Sequence, residues 1–115
     1  MKNKTKKVYE RVYIHAAKVQ TKEGWTLVIS AMDAYSEYAF KIAFSDNTEI
    51  TIDVLNQLFD NIIEGYKPLI HPKKISFVTN LPEEYNSLFL QTKAARHRFK
   101  FDKDATNNAM KELLT

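Results

Sequence analysis

A few residues in this chain have the types and placement that chemistry would need. The stretch "SFVTNLPEEY" (Ser76 to Tyr85) runs an apolar strand into Thr79-Asn80 and then into a Pro-Glu-Glu turn. The end of a buried strand is a common station for a metal-binding carboxylate. Here the terminal residue is an amide. Among the carboxylates, Asp33 follows the second strand in a turn, Glu83 and Glu84 lie in the turn after Asn80, and Glu112 lies on the final helix, where it reads as a solvated Glu or a relic ligand. Hard divalent cations such as Mg²⁺ are held through carboxylates and water, and a two-metal phosphoryl-transfer centre needs several of them. Asn80 offers one neutral carbonyl oxygen. His15 offers ring nitrogen, which suits transition metals better than Mg²⁺.

Each candidate also has a plain structural use. Asn80 reads either as a weak ligand or nucleic-acid contact, or as the cap of the helix that follows. His15, beside the small Ala16 and Ala17, reads as a substituted ligand or as a strand histidine facing a neighbour. Asp33 reads as a turn acid that accepts backbone N–H bonds. His71 belongs to a surface loop, and His97 alternates with Phe99 and Phe101 as a partly buried strand residue. A second constellation is basic. Arg96, Arg98 and Lys100 share one face of the run "RHRFKF", flanked by Lys93 and Lys103. A strand face of this kind tracks a phosphate backbone, or else protects a sheet edge from aggregation. No P-loop, Rossmann glycine fingerprint, HExxH or nucleophile elbow is present.

The elements that must position these residues follow from hydrophobic period. Strand-like sequence runs from Arg11 through Val19. "TKEG" then makes a hairpin turn in which Gly24 supplies positive φ. "WTLVISAM" reads as a central strand buried on both faces, and "YAFKIAF" alternates as a half-buried one. Ile50, Val54, Leu55, Leu58, Phe59, Ile62, Ile63 and Tyr66 mark a helix face, with Asn47 or Thr48 as its cap, Gly65 at its left-handed C-cap and Pro68 as its stop. "KKISFVTN" is a fourth strand. Pro82 opens a short helix carrying Tyr85, Leu88 and Phe89. "RHRFKF" is a fifth strand and "ATNNAMKELLT" a last helix. The expected fold class is α/β with a mixed sheet, in the order β-β-β-α-β-α-β-α of the ribonuclease H-like fold.

The 115 residues suit one domain, with 1–8 as a basic flexible tail and 9–115 as a single unit that reads as cut short at its C-terminus. The chain has no cysteine, which removes disulfides and thiolate metal sites. No signal peptide and no apolar run of bilayer length is present, so the expectation is a cytoplasmic protein without membrane contact. The net charge of +3 is too small to argue for nucleic acid by itself, so only the placement of the cations can do so.

The phrases of the chain resemble the catalytic cores of integrases and insertion-sequence transposases, the DDE class. The stretch "EGWTLVISAMDAYSEYAFKIAFSDNTE" is similar to the "GW … aiDlySr" segment of that family, "VTNLPEEY" to its "(S/T)DNGxEF", and "NAMKE" (Asn108 to Glu112) to its "NAxxE". The order covers nearly all of the chain after the tail. The resemblance implies a nucleic-acid-processing core whose catalytic acids would fall at His15, Asn80 and Glu112, with the Asp33 phrase structural. Two of the three carboxylates are replaced, and the interval from Asn80 to Glu112 is shorter than the family's. What it implies is therefore a degenerate core without catalysis. What would remain is residual nucleic-acid binding through Lys93, Arg96, Arg98, Lys100 and Lys103, with DNA as the candidate partner, or a role in assembly, and no metal or cofactor is expected. Two rival expectations remain. One is an active enzyme using Mg²⁺ or Mn²⁺ at a site rebuilt from Asp33 and Glu112 with Glu83 or Glu84. The other is an interaction module that forms a homodimer.

Overall fold

The computed structural model describes residues 10–22, 24–44, 49–66 and 74–111. The basic tail, Asn47, Thr48, Pro68, His71 and Glu112 lie outside the described residues. Five strands form one sheet: β1 (Arg11–Thr21), β2 (Gly24–Asp33), β3 (Ala39–Phe44), β4 (Ser76–Thr79) and β5 (Arg98–Phe101). Helix α1 (Ile52–Tyr66) links β3 to β4. A 3-10 turn (Glu83–Tyr85) and α2 (Asn86–Phe89) link β4 to β5, and α3 (Lys103–Ala109) follows. The spatial order is β3-β2-β1-β4-β5. The first three strands are an antiparallel meander, and β4 and β5 add to β1 in parallel. This is a mixed α/β architecture of the ribonuclease H-like kind, with the expected element order.

Alternation sorts the strands into two faces. One carries Val12, Ile14 and Ala16 of β1, Leu27, Ile29 and Ala31 of β2, and Phe77 of β4, all buried against Val54, Leu55, Leu58, Phe59 and Ile62 of α1. Phe59 lies edge-on to Phe77 at 5.2 Å and to Phe89 at 6.1 Å. Phe89 in turn meets Phe99 at 5.0 Å and Phe101 at 5.5 Å. Such offset aromatic contacts add to the burial of area itself. On the other face α3 packs on β1 and β4. Val78 and Met110 are buried there, outside the main cluster.

Several expectations shift in detail. β2 is not the central strand; β1 is, because β4 adds on its far side. Nor is β2 buried on both faces, since Trp25 is 54% exposed and Val28 and Met32 are only half-buried. Gly65 lies inside the last turn of α1 instead of following it. The start of α1 is held by Thr51, whose hydroxyl accepts from the Val54 amide at 3.2 Å. Residues 93–96 form turns, so Arg96 precedes β5. The first hairpin is as expected. Thr21 pairs with Gly24, whose φ is +122°. Among the described residues no helix is long and apolar enough to cross a membrane.

Candidate functional site

The end of β4 is built around Asn80. Thr79 is in register with Ile14, and the Asn80 amide N–H donates to the Ile14 carbonyl at 3.3 Å. The side chain then carries the ladder one rung further. Its Oδ1 accepts from the Ala16 N–H at 2.8 Å, and its Nδ2 donates to the Ala16 carbonyl at 2.9 Å. The carboxamide thus stands where a further peptide unit of β4 would stand. Asn80 does not cap the following helix, and the 3-10 turn beginning at Glu83 has no side-chain cap bond. A carboxylate could not make this clasp, because it has no hydrogen to donate and would set a charge against the Ala16 carbonyl.

His15, one residue before the clasp, faces the α3 side. Strand register places it opposite Ser30, and Ser30 opposite Lys41. This polar row crosses three strands and lies in a cleft of about 420 Å³, lined also by Ala17, Val19, Val28 and Asn107 of α3. The His15 pKa is lowered from its ordinary value, first by burial and then by the Lys41 ammonium. The imidazole is therefore neutral near pH 7. The Oδ1 of Asn107 is buried and accepts no hydrogen bond among the described residues.

The two expected positions thus come close along the chain backbone, with His15 adjoining the residue that Asn80 clasps. Glu112 lies beyond the described residues. Asp33 lies elsewhere. It is opposite Val12, fully buried, on the α1 side of the sheet, whereas His15 is on the α3 side. Its Oδ2 accepts from the Ser36 N–H at 2.8 Å and from the Ser36 hydroxyl at 2.7 Å. These bonds hold a turn in which Glu37 adopts φ +63°. Glu83 and Glu84 are exposed on the 3-10 turn. Among the described residues, no group of three or more His, Cys, Asp or Glu could hold a metal ion. The donors in the cleft are an imidazole, a hydroxyl and an amide beside an ammonium. They do not fit a hard cation that asks for carboxylates.

His97 serves the scaffold. Its Nδ1 accepts from the Ile75 N–H at 2.9 Å, and its ring stands edge-on to Phe77 at 5.6 Å. Burial, then Arg96, then Lys74 lower its pKa to about 4.

The basic residues divide. Lys93 is drawn to α1, where its ammonium pairs with Asp60 and its amide donates to Asn56 Oδ1 at 2.8 Å. Arg96 is exposed in a turn, and Lys103 is exposed at the first position of α3. Arg98 and Lys100 point to the α3 side of β5, the latter 3.9 Å from Asp102. There they meet Arg11 of β1, which the sequence pattern alone did not single out. Register makes two rows, Arg11–Ser76–Arg98 and Tyr13–Val78–Lys100. These rows, with Ala105 of α3, line a second cleft of about 330 Å³.

No protein-family model and no curated protein matches the chain. Among solved structures it is similar to the HTLV-2 integrase catalytic core domain, described in complex with magnesium and in a dimeric form. The TM-score is 0.52 at 12% sequence identity, over 92% of this chain and 69% of that one. At that identity the likeness is one of fold. What the two share is a mixed α/β sheet of the ribonuclease H-like kind.

Proposed function

We propose that this protein is an integrase-core-like scaffold that binds nucleic acid and does not carry out two-metal strand transfer. The observation that supports the loss of chemistry most directly is the Asn80 clasp. Both polar atoms of that side chain are taken by the backbone of Ala16. At the neighbouring position stands a neutral His15 near Lys41, where a second carboxylate would be needed. The cations of β5 support the binding half of the reading, because Arg98 and Lys100 are exposed on one strand face.

Two experiments test it. Plasmid incubated with the protein and Mg²⁺ or Mn²⁺ should show no nicking or strand transfer above a blank. Robust cleavage that disappears in Glu112→Gln would overturn the inactive reading. For binding, fluorescence anisotropy with labelled DNA at several salt concentrations should show an affinity that falls as salt rises, because each neutralised phosphate releases condensed counterions. Replacing Arg96, Arg98 and Lys100 together with Gln should flatten the log K against log salt slope by about 2 to 3 units on duplex. Sequence preference should hardly change, since phosphate contacts position a protein without reading bases. A full slope in the triple variant would leave the stripe as a solvated strand face.

A further inference from the structure

We infer that the nucleic-acid surface is a groove for a single strand, floored by β1 and β4 and including Arg11 and Tyr13. This inference rests on the nucleic-acid reading above and specifies its ligand. The expected stripe was one-dimensional, a single strand with alternating cations. The sheet makes it two-dimensional. Parallel register sets Arg11, Ser76 and Arg98 in one row across β1, β4 and β5, so the two guanidinium-bearing residues flank a hydroxyl two strand spacings apart, roughly 10 Å. The next row on the same face is Tyr13, Val78 and Lys100, displaced by two residues, roughly 6.6 Å along the strands.

Three cations therefore surround a concave surface that holds an aromatic ring and a hydroxyl. Among the described residues neither Arg11 nor Arg98 forms an ion pair, and Lys100 has only a long contact with Asp102. Tyr13 is half-buried and lines the cleft with Ser76 and Val78. Ala105 borders it from α3, so one side of the groove is a small residue that leaves room.

Shape and chemistry together favour one ligand class. A cleft of about 330 Å³ takes one unstacked base or a single sugar-phosphate chain. A stiff duplex meets the exposed cations first, whereas one unstacked base is small enough to enter beside the half-buried Tyr13. Proteins that hold single strands combine a cationic track with aromatic side chains on which bases stack, and this groove has both. Arg also suits phosphate better than Lys does, through its planar fork of donors. The other cleft has Lys41 as its single fixed cation, and its one aromatic ring is the imidazole of His15.

The test uses the whole chain with two labelled probes, a 12-nucleotide single strand and a hairpin duplex of the same composition. Single-strand binding should exceed duplex binding at equal salt. Tyr13→Leu should weaken the single strand about five- to hundredfold, the range of one lost stacking contact, and leave its salt slope unchanged. Tyr13→Phe should retain the affinity, which separates a ring contact from a packing defect. Arg11→Gln should flatten the single-strand slope by about 0.7 unit. Matched circular-dichroism melts show whether each variant is folded. If duplex binds as well as the single strand, or if Tyr13→Leu and Arg11→Gln both bind like wild type, the groove inference fails. The broader reading survives that outcome provided the Arg96, Arg98 and Lys100 variant still loses salt dependence. If neither probe binds at low salt, both fall.

Discussion

The two faces of the sheet are built from the same strands by the same alternation, yet they do different work. The α1 face is mainly apolar and aromatic, with the buried Asp33 at one end of β2. Among Phe59, Phe77, Phe89 and Phe99, five ring pairs lie 5.0 to 6.3 Å apart, and little of that surface reaches solvent. The α3 face is only partly covered and presents polar rows, His15–Ser30–Lys41 on one side and Arg11–Ser76–Arg98 on the other. The difference teaches that the buried core and the open, charged surface are separated by residue parity. The Asn80 clasp lies in the plane between them, where a polar side chain acts as backbone.

The largest break in this comparison comes from the α1 face. Phe59→Ala removes a ring that is fully buried among three others, and should lower the free energy of unfolding by about 3–5 kcal/mol. Urea denaturation followed by tryptophan fluorescence or circular dichroism measures it. A loss below about 1 kcal/mol would mean that the face does not carry the core.

Next comes the clasp. Asn80→Asp deletes the donor to the Ala16 carbonyl and leaves that carbonyl unpaired beside a new charge. The expected loss is about 1–3 kcal/mol at pH 7, with partial recovery at acid pH where the carboxyl regains a proton. An Asp variant as stable as wild type would show that the rung is ornamental.

A smaller effect sharpens the comparison through pH. The fold holds the His97 pKa near 4 against an ordinary 6.5, so it favours the neutral ring. Above about pH 6.5 neither folded nor unfolded chain carries that proton, and the contribution is complete. As pH falls from about 6.5 to about 4, the unfolded chain binds a proton that the folded chain refuses, so stability declines. His15 is shifted in the same direction and adds to the slope. In His97→Gln the decline between pH 7.5 and 5 should be shallower, and an unaltered slope would remove His97 as its source. The smallest effect is expected on the α3 face. Replacing the exposed Arg96, Arg98 and Lys100 with Gln should change stability by no more than about 0.5 kcal/mol in thermal melts, while altering ligand binding.

Element order was legible in the sequence because each element has a strong local period. The α1 stripe, the β3 alternation and the Gly24 hairpin are all short-range signals. What was not legible depends on register. That Arg11 stands in line with Arg98, or His15 with Ser30 and Lys41, is fixed only when β4 and β2 choose their pairing with β1, and no local pattern encodes the offset. The helix start at Thr51 was displaced by a few residues, because several capping residue types crowd the 47–51 stretch. The role of Asn80 was missed for another reason. An Asn after a strand and before Pro82 looks like a helix cap, and the acceptor-donor pair it actually serves comes from Ala16, 64 residues earlier.

That rung has a consequence for how the sequence can drift. Asn and Asp differ by one nucleotide in the standard code, so exchange between them is an easy mutational step. Here the step toward Asp costs a backbone bond at the join of β1 and β4 before any gain in metal binding could arise. His15 and its neighbour Lys41 would still be in place to disfavour that gain. Folding alone is enough to retain the amide, whatever the protein does. The clasp therefore behaves as a ratchet: position 80 is kept neutral by the rung that its carboxamide completes.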